Sequence, residues 1–260
     1  MLRMCCLGSG SGGNAWVIEA RGGLLTTRVL LDNGFGPRQL ARRLLRAGLS
    51  IDDIELVLLT HEHSDHAGGI EALLRAQPAM PLASSSGSLR AAGIAGDGSR
   101  VRAVRAGETI VIGELEIRPF AVPHDAAEPL HFSFSDGATR CGVVTDLGCP
   151  TASVAEALSG LDTLVLECNH DGAMLAGGSY PPFLKARIGG DSGHLSNEQA
   201  ACLLASIPGR PPQRVIAAHL SRSNNRPELA QRALAAVLGC NAGDIAVADQ
   251  DDGLDWVAIG

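Results

Sequence analysis

Short apolar runs, separated by turns rich in glycine, aspartate and asparagine, recur along most of the chain. Runs of about four to eight residues with such boundaries are typical of strands, because a buried helix needs a longer segment. The runs predict strands over Met4–Leu7, Trp16–Glu19, Val29–Asp32, Ile54–Thr60, Val101–Val104, Thr109–Ile112, Leu115–Val122, Leu130–Phe134, Cys141–Thr145, Thr163–Glu167, Arg214–His219 and Ile245–Val247.

Segments with apolar residues at helical spacing lie between these strands. In the first of them Leu40, Leu44 and Leu45 are interspersed with arginines, which is typical of an amphipathic surface helix. Helices are predicted over Arg38–Ala47, His66–Ala76, Thr151–Leu158, Asn197–Ser206 and Pro227–Leu238. The glycine- and proline-rich stretch Gly172–Asp191 is predicted to be a long loop, and loops of that length are often functional.

The grouping of the strands predicts the class of fold. Strands in hairpins argue against a purely parallel, doubly wound sheet, so we expect two mixed sheets packed face to face with helices outside. No linker, charge run, low-complexity tract or repeat divides the sequence, which predicts one domain over residues 1–260. A chain of 260 residues is long enough to bury a large core in this arrangement.

Composition narrows the classes of function. The net charge of −7 argues against binding nucleic acid through a broad basic surface, although bound metal ions would add positive charge locally. Seven cysteines are scattered without a CxxC pair, which favours reduced thiols over a disulfide framework. The amino terminus lacks the pattern of a signal peptide, and no apolar run reaches the length of a membrane span. We therefore expect a cytoplasmic protein with no membrane partner, and no oligomeric state is predicted.

One polar segment, directly after a strongly apolar run, carries most of the candidate metal ligands. His61 and His63 are two residues apart on a chain that leaves a strand, so both imidazoles can point the same way. Asp65 and His66 come where a helix begins and can turn back toward the same point. Three histidines and a carboxylate this close together suit Zn, Mn or Fe rather than Ca or Mg. The alternative is a loop that is rich in histidine by chance, and four ligand-type residues in six positions argue against it.

The remaining candidate ligands are isolated along the chain. Asp32 ends an early predicted strand, His124 follows a proline, Asp146 lies in a turn, and His219 ends a late strand. Each of these residues alone could be an ordinary loop or turn residue. In this order, and together with the polar segment, they resemble the metallo-β-lactamase superfamily, whose signature is HxHxDH.

This resemblance covers nearly the whole chain and implies a fold, a cofactor and a set of ligands. The implied fold is α+β (α/β), a four-layer αββα metallo-β-lactamase sandwich. The implied cofactor is two divalent transition-metal ions per chain, Zn or Mn, with Fe as the alternative. The ligands implied by the family are, for the first ion, His61, His63 and His124, for the second ion, Asp65, His66 and His219, and, as a bridge between them, Asp146. Asp32 is implied to orient a ligand or the loop.

Four further segments are similar to the YycJ/WalJ branch of the superfamily: Leu7–Ala15, Leu166–Asp171, Gly193–Asn197 and His219–Asn225. That branch is related to tRNase Z and to PhnP-type phosphodiesterases, and exonuclease activity on DNA is attributed to it. The resemblance implies a hydrolase that acts on a phosphodiester substrate, DNA or RNA, through a hydroxide that bridges the two ions. Two family features are missing from the sequence: the long arm of the tRNA-processing enzymes and the inserted second domain of the longer nucleases.

Other residues near these motifs have expected roles. Asp65 is expected to orient the hydroxide, and His194 to protonate the leaving oxygen. Glu167 is expected on the same rim as His194, and His170 is expected to shape the pocket wall. Arg222 is either a substrate contact or an ordinary solvated charge.

Two other functions are compatible with the same ligands. The first is a thioester or lactone hydrolase, because one fold supports many substrates. The second is a non-catalytic module that binds the metals for stability or redox. The segments around His170 and His194 favour the phosphodiesterase over the first alternative, and the complete ligand set with an acid in His194 argues against the second.

Overall fold

The computed structural model describes residues 1–95 and 100–260, and its strands form two seven-stranded sheets. The strands of the first half of the chain are β1 (Leu2–Gly8), β2 (Ala15–Gly22), β3 (Leu25–Leu31), β4 (Leu56–Leu58), β5 (Leu82–Ser84) and β6 (Val101–Ala103). The strands of the second half are β7 (Ile110–Ile112), β8 (Leu115–Ala121), β9 (Leu130–Ser135), β10 (Arg140–Val144), β11 (Thr163–Glu167), β12 (Arg214–Ala218), β13 (Ala246–Val247) and β14 (Leu254–Ala258).

The two sheets share one pattern of strand pairing. The first sheet has the order β14-β1-β2-β3-β4-β5-β6, antiparallel from β14 to β3 and parallel from β3 to β6. The second sheet has the order β13-β12-β11-β10-β9-β8-β7, antiparallel from β7 to β10 and parallel from β10 to β13. Both sheets are therefore mixed, and the last strand of the chain returns to the edge of the first sheet.

Short helices connect the strands and cover the sheets. They are α1 (Pro37–Arg46), α2 (Ser64–Ala67), α3 (Ile70–Ala76), α4 (Ser86–Ala91), α5 (Ala152–Ala157), α6 (Gly172–Gly177), α7 (Pro182–Ile188), α8 (Asn197–Ser206) and α9 (Pro227–Leu238). Two single 3₁₀ turns lie at Ile51–Asp53 and Ala242–Asp244. Across residues 1–95 and 100–260, none of the helices has the length and apolar character needed to cross a bilayer.

Three apolar clusters hold the layers together. One lies between the sheets and includes Trp16 from the first sheet and Phe132 from the second. Another joins the outer face of the first sheet to α1, where Leu44 is fully buried. The third joins the outer face of the second sheet to α8 and α9 through Leu203 and Leu234. The order of layers is helix, sheet, sheet, helix, which confirms the predicted αββα sandwich.

Two predicted elements differ from the structure. The predicted helix His66–Ala76 is broken into α2 and α3 at Gly68 and Gly69. The backbone of Gly69 packs so closely on the preceding loop that a Cβ atom there would lie 1.9 Å from the carbonyl oxygen of Phe35. The prediction of a long loop over Gly172–Asp191 is wrong, since α6 and α7 lie there. The Asp171 side chain accepts a hydrogen bond from the amide at the start of α6, and a proline occupies the first turn of α7.

Candidate metal centre

The loop after β4 and the loop after β8 bring three histidines together. The buried strand β4 ends at Leu58, and His61 and His63 follow it before α2 begins. His124 comes from the loop after β8, and its Nε2 lies 3.2 Å from Nδ1 of His63. One nitrogen from each of the three rings lies within 4.8 Å of the others. This is the set that the family resemblance implies for the first ion.

A second group of four side chains adjoins the first. Asp65 and His66 lie on α2, Asp146 lies just past the end of β10, and His219 directly follows β12. Nε2 of His66 lies 2.6 Å from Oδ2 of Asp146, and Nε2 of His219 lies 3.4 Å from Oδ2 of Asp65. The ligand atoms of all four lie within 4.8 Å of one another. The structure thus brings all seven expected ligands into two adjacent groups, and groups Asp146 with the residues expected at the second ion.

The donor set fits divalent transition-metal ions. Imidazole nitrogens with carboxylate oxygens are the ligands that zinc, manganese and iron bind. Nε2 of His61 is buried and has no hydrogen-bond partner among the described residues, as expected for a nitrogen reserved for a metal. Burial holds the pKa of His61 well below its usual value, with the nearby His66 acting in the same direction, and so favours the neutral ring that coordinates.

Backbone strain is concentrated at this centre. Among the described residues, the non-glycine residues with positive φ are Asp32 (60°), Asp146 (57°) and His219 (56°). Each follows closely on the end of a strand, β3, β10 or β12. A left-handed backbone costs about 1–3 kcal/mol for such residues and persists only where the surroundings enforce it. These three conformations therefore lower the stability of the fold, and they direct the side chains toward the site.

Asp32 contacts the polar segment that carries the first expected ligands. Its carboxylate accepts hydrogen bonds from the Thr60 amide at 2.8 Å and from the Thr60 hydroxyl at 3.0 Å. Oδ2 of Asp32 also lies 2.8 Å from Nδ1 of His66, so His66 donates there and presents Nε2 to Asp146. The same Thr60 hydroxyl lies 3.0 Å from Nδ1 of His61. These contacts agree with the expectation that Asp32 orients a ligand and the loop, and they add Thr60, which sequence reasoning left without a role.

Glu167 of the second sheet contacts two histidines, as Asp32 of the first sheet contacts His66. The side chain is fully buried at the end of β11, and Oε1 lies 2.8 Å from Nδ1 of His194 and 3.0 Å from Nδ1 of His219. Oε2 accepts the amides of Leu147 and Leu195 at 2.8 and 3.1 Å. Burial raises the pKa of Glu167, but the two histidines outweigh it and lower the pKa to about 2. Glu167 was expected on the same rim as His194, to support a ligand or contact substrate, and its buried contacts with two histidines agree with the supporting role, which stays a prediction.

His194 lies against the second ligand group. Its Nδ1 lies 3.2 Å from Oδ1 of Asp146 as well as 2.8 Å from Glu167, and part of its side chain remains exposed. Burial lowers the pKa of His194, but the two carboxylates more than compensate and raise it to about 11. A third set of close ligand atoms therefore contains Asp146, Glu167, His194 and His219. This places His194 where an acid facing the site is expected, and its role stays a prediction.

The glycine-rich loop after β1 touches the ligands, which the sequence did not reveal. Nδ2 of Asn14 lies 3.1 Å from Nε2 of His66 and 3.4 Å from Oδ2 of Asp65. The loop bends there at Gly13 (φ 138°), where a Cβ atom would lie 2.5 Å from the Phe35 ring. A polar residue that ends a glycine-rich turn and begins a buried strand was the available signal for Asn14.

Two arginines differ in their relation to the ligand groups, and the surface pairing of Arg222 agrees with the solvated-charge alternative. Arg222 pairs with Asp251 on the exposed surface, and the structure does not bring it to the ligand groups. Arg187 on α7 instead donates from Nε to Oδ2 of Asp125 at 2.7 Å. The carbonyl oxygen of Asp125 lies 3.2 Å from Nε2 of His63. Arg187 lay in the segment predicted to be a loop, and nothing in its local sequence pointed to the site.

His170 lies in the loop after β11 and packs against the segment that follows His194. Its side chain is buried, and its Nδ1 has no hydrogen-bond partner among the described residues. Its carbonyl oxygen accepts the Asn197 amide at 2.8 Å. Asn197 and Asn225 form a reciprocal pair of amide hydrogen bonds of 2.9 Å, which joins the loop of His194 to the loop after His219. These contacts agree with the wall-shaping role expected of His170, which stays a prediction.

Comparisons with known proteins give the same picture of fold and family. Residues 27–220 match the family described as "Beta-lactamase superfamily domain". The chain is 33% identical over 242 residues to "Exodeoxyribonuclease YycJ" of Bacillus anthracis, covering 91% of this chain and 89% of that protein. It is 31% identical over 255 residues to "Exodeoxyribonuclease WalJ" of Streptococcus pneumoniae serotype 2, covering 96% and 90%.

A solved structure supports the fold independently of sequence. The metallo-β-lactamase fold protein YhfI from Bacillus subtilis superimposes with a TM-score of 0.74 over 99% of this chain and 100% of that one, at 14% identity. At that identity the likeness concerns the fold alone, and the family rests on the sequence matches. The chain belongs to the metallo-β-lactamase superfamily and, within it, to the branch of the YycJ and WalJ proteins.

Proposed function

We propose that this chain is a metal-dependent exodeoxyribonuclease, a hydrolase that cleaves phosphodiester bonds from an end of DNA. The observation that carries the proposal is the convergence of seven ligand-type side chains into two adjacent groups, with His194 beside them. The names of the two relatives, both exodeoxyribonucleases and both matched over most of their length, support DNA as the substrate.

The residues that would hold two ions follow from the two groups. His61, His63 and His124 would hold the first, and the group of Asp65, His66, Asp146 and His219 would hold the second. Two divalent ions there would supply Lewis acidity toward phosphate oxygens and lower the pKa of a bound water.

The chain's own residues would then position substrate and move a proton. Nδ1 of His194 is engaged by Glu167, so Nε2 is the atom left to donate a proton to the leaving oxygen. Glu167 keeps the ring oriented, since both of its oxygens are fixed by hydrogen bonds in a fully buried position. Asp65 is one-fifth exposed and lies between His66 and His219, where its free oxygen would orient the attacking water.

We further propose two zinc or manganese ions per chain and a cytoplasmic site of action. All seven cysteines are free thiols, which suits a reducing compartment. Protein purified without chelator is expected to contain up to two transition-metal ions per chain by elemental analysis. Finding none after reconstitution with zinc or manganese, in protein with a native circular-dichroism spectrum, would overturn the metal centre.

The experiment that tests the function is a metal-supplemented screen of substrates. Labelled linear and circular DNA, RNA, small phosphodiesters and thioesters are offered to the metal-loaded protein, with a chelated sample as control. Linear DNA is expected to be degraded from an end, and circular DNA is expected to resist because it has no end. Hydrolysis of thioesters without cleavage of any phosphodiester would replace the proposal by the thioester hydrolase. Loaded, folded protein that hydrolyses nothing would support the non-catalytic module.

A further inference from the structure

Helix α7 is attached to the candidate metal centre at its C-terminal end. Arg187 on this helix donates to Asp125, whose carbonyl oxygen lies 3.2 Å from Nε2 of His63. One residue later, the carbonyl oxygen of Ile188 accepts the amide of His194 at 2.8 Å. The C-terminal end of the helix is thus tied to residues on both sides of the site.

Helix α7 carries an aromatic side chain that is open to solvent. Phe183 is 76% exposed, whereas the other phenylalanine, tryptophan and tyrosine side chains are buried or half-buried. Phe183 lies four residues before Arg187, so the two share one face of the helix, with Cβ atoms roughly 6 Å apart. A single exposed apolar side chain is ordinary by itself. What distinguishes Phe183 is its location one helical turn from Arg187, whose partner Asp125 contacts His63.

The charge of the chain limits how it can hold DNA. The net charge is −7, and Arg187 and Arg222 are each paired with an aspartate. Phosphate contacts over a broad basic surface are therefore a weak source of affinity. Stacking of unpaired bases on aromatic side chains is a second, sequence-tolerant source, and it requires bases that are free of a duplex.

We infer that Phe183 is a stacking platform for an unpaired base of a single-stranded DNA end whose phosphate lies at the metal centre. The inference rests on the proposed function and adds to it the class of DNA and the means of holding it. A base near the cleaved bond would lie on the Phe183 ring, while the backbone passes Arg187 toward His63 and His194.

The test compares Phe183→Ala and Phe183→Trp with the wild type on two oligonucleotides. One is an ordinary single strand, and the other has the same length but terminal nucleotides that lack bases. Leu45→Ala on α1 is the matched control, since Leu45 is 75% exposed and lies on the helix covering the outer face of the first sheet. Circular dichroism verifies folding. Binding is measured by fluorescence anisotropy with metal-free protein, and KM and kcat with metal-loaded protein.

Phe183→Ala is expected to weaken binding of the ordinary strand and to raise its KM, each by about 5- to 100-fold, while kcat changes little. Phe183→Trp is expected to restore both, and Leu45→Ala to match the wild type. On the strand without terminal bases, the wild type and Phe183→Ala are expected to behave alike. Equal binding of the ordinary strand by the wild type and Phe183→Ala, or an equal loss on both strands, overturns the stacking platform. Absence of cleavage by the wild type overturns the proposed function instead, because the binding measurement needs no turnover.

Discussion

The two sheets have the same pairing pattern but contribute to the metal centre in different ways. The first sheet delivers four expected ligands from one loop, between His61 and His66, and supports them with Asp32. The second sheet delivers its residues from separate positions: after β8, β10 and β12, at the end of β11, and between α7 and α8. One half of the centre is therefore built by short spacing along the chain, and the other half only by the pairing of strands within the second sheet.

The two halves of the centre therefore have different requirements for assembly. Within the loop after β4, the ligands stay near one another in any conformation of the chain. His124, Asp146 and His219 come together only when the second sheet has formed. Substitutions in the two sheets should therefore be distinguishable by how many metal ions are lost and by whether stability changes with them.

The largest effect is expected for Asp146→Ala. If Asp146 bridges the ions, this variant should retain less than about one ion per chain, whereas His63→Ala should retain about one. Activity on DNA should fall by more than about 10³-fold in Asp146→Ala, because each ion stabilises the transition state by several kcal/mol. Elemental analysis and initial rates measure both, with the exposed Asp52→Ala as control.

The metal count of Asp146→Ala also tests the bridging role itself. Retention of about one ion would assign Asp146 to the second ion only, in line with the group of side chains in which it lies. Because Asp146 has a positive φ, the metal-free Asp146→Gly variant should be at least as stable as the metal-free Asp146→Ala variant. Thermal unfolding of the two metal-free variants makes that comparison.

The next largest effect is a loss of turnover on substitution of His194, which lies among the residues contributed by the second sheet. His194→Ala is expected to lower turnover of DNA by about 10²–10⁴-fold if the ring is the general acid. The loss should shrink for bis-p-nitrophenyl phosphate, whose leaving group needs little protonation. Steady-state kinetics on both substrates gives the answer. An equal loss on both would indicate phosphate binding by His194, and no loss on either would remove it from the site.

A smaller effect is expected for the carboxylates that orient the ligands, one in each sheet. Asp32→Asn and Glu167→Gln should each weaken metal binding by about 10- to 100-fold, as removal of such supports generally does. Glu167→Gln should in addition lower the turnover of metal-saturated protein, because Glu167 contacts the proposed acid His194 as well as the ligand His219, while Asp32 contacts the ligand His66. Initial rates at saturating metal measure this second effect. Competition with a chromophoric chelator measures both affinities. Unchanged affinity in both variants would show that the ligands are held by packing alone.

The sequence predicts the bounds of an element well where residues at its ends mark its start or its end. The predicted bounds of Thr163–Glu167, Asn197–Ser206 and Pro227–Leu238 agree with β11, α8 and α9. Ser196 caps α8 with a capping box and Pro227 starts α9, and both signals are local. The missed strands β5 and β14 lack such signals. β5 has three residues and depends on β4 and β6, and β14 pairs with β1 from the other end of the chain.

The residues of the site likewise differ in whether local sequence could predict them. The ligands in the loop after β4 could be predicted from residue types and spacing, whereas His124, Asp146 and His219 needed their order along the chain and the resemblance to a family. Asn14 and Arg187 reach the centre through tertiary contacts. Asn14 had a local signal at the end of the glycine-rich turn that was not used, and Arg187 had none.

The smallest effect on the metal centre is expected from the buried charge of Glu19, which lies on the first sheet away from the ligands. Its carboxylate accepts hydrogen bonds from Arg3 at 2.6 Å, Arg21 at 2.6 Å and Arg28 at 2.7 Å. Burial raises the pKa of Glu19, but the three guanidinium groups outweigh it and lower the pKa from 4.5 to about 2. Glu19→Gln should lower the free energy of unfolding at neutral pH by about 1–3 kcal/mol while leaving metal content unchanged.

The pH dependence of that loss follows from the direction of the pKa shift. Because the folded pKa is depressed, the unfolded chain binds the proton first, so the stabilisation is complete above the unfolded pKa of about 4.5 and disappears as the pH falls through about 2. The difference in free energy of unfolding between wild type and Glu19→Gln, measured by urea denaturation of metal-free protein, should therefore be constant from pH 7 to about pH 5 and narrow below it. A difference that persists undiminished at about pH 2 would mean that Glu19 acts through packing. A change in metal content would mean that the strands carrying Glu19 and its arginines also set the geometry of the metal centre. The ligands after β4 would then depend on the packing of the first sheet as well as on their spacing along the chain.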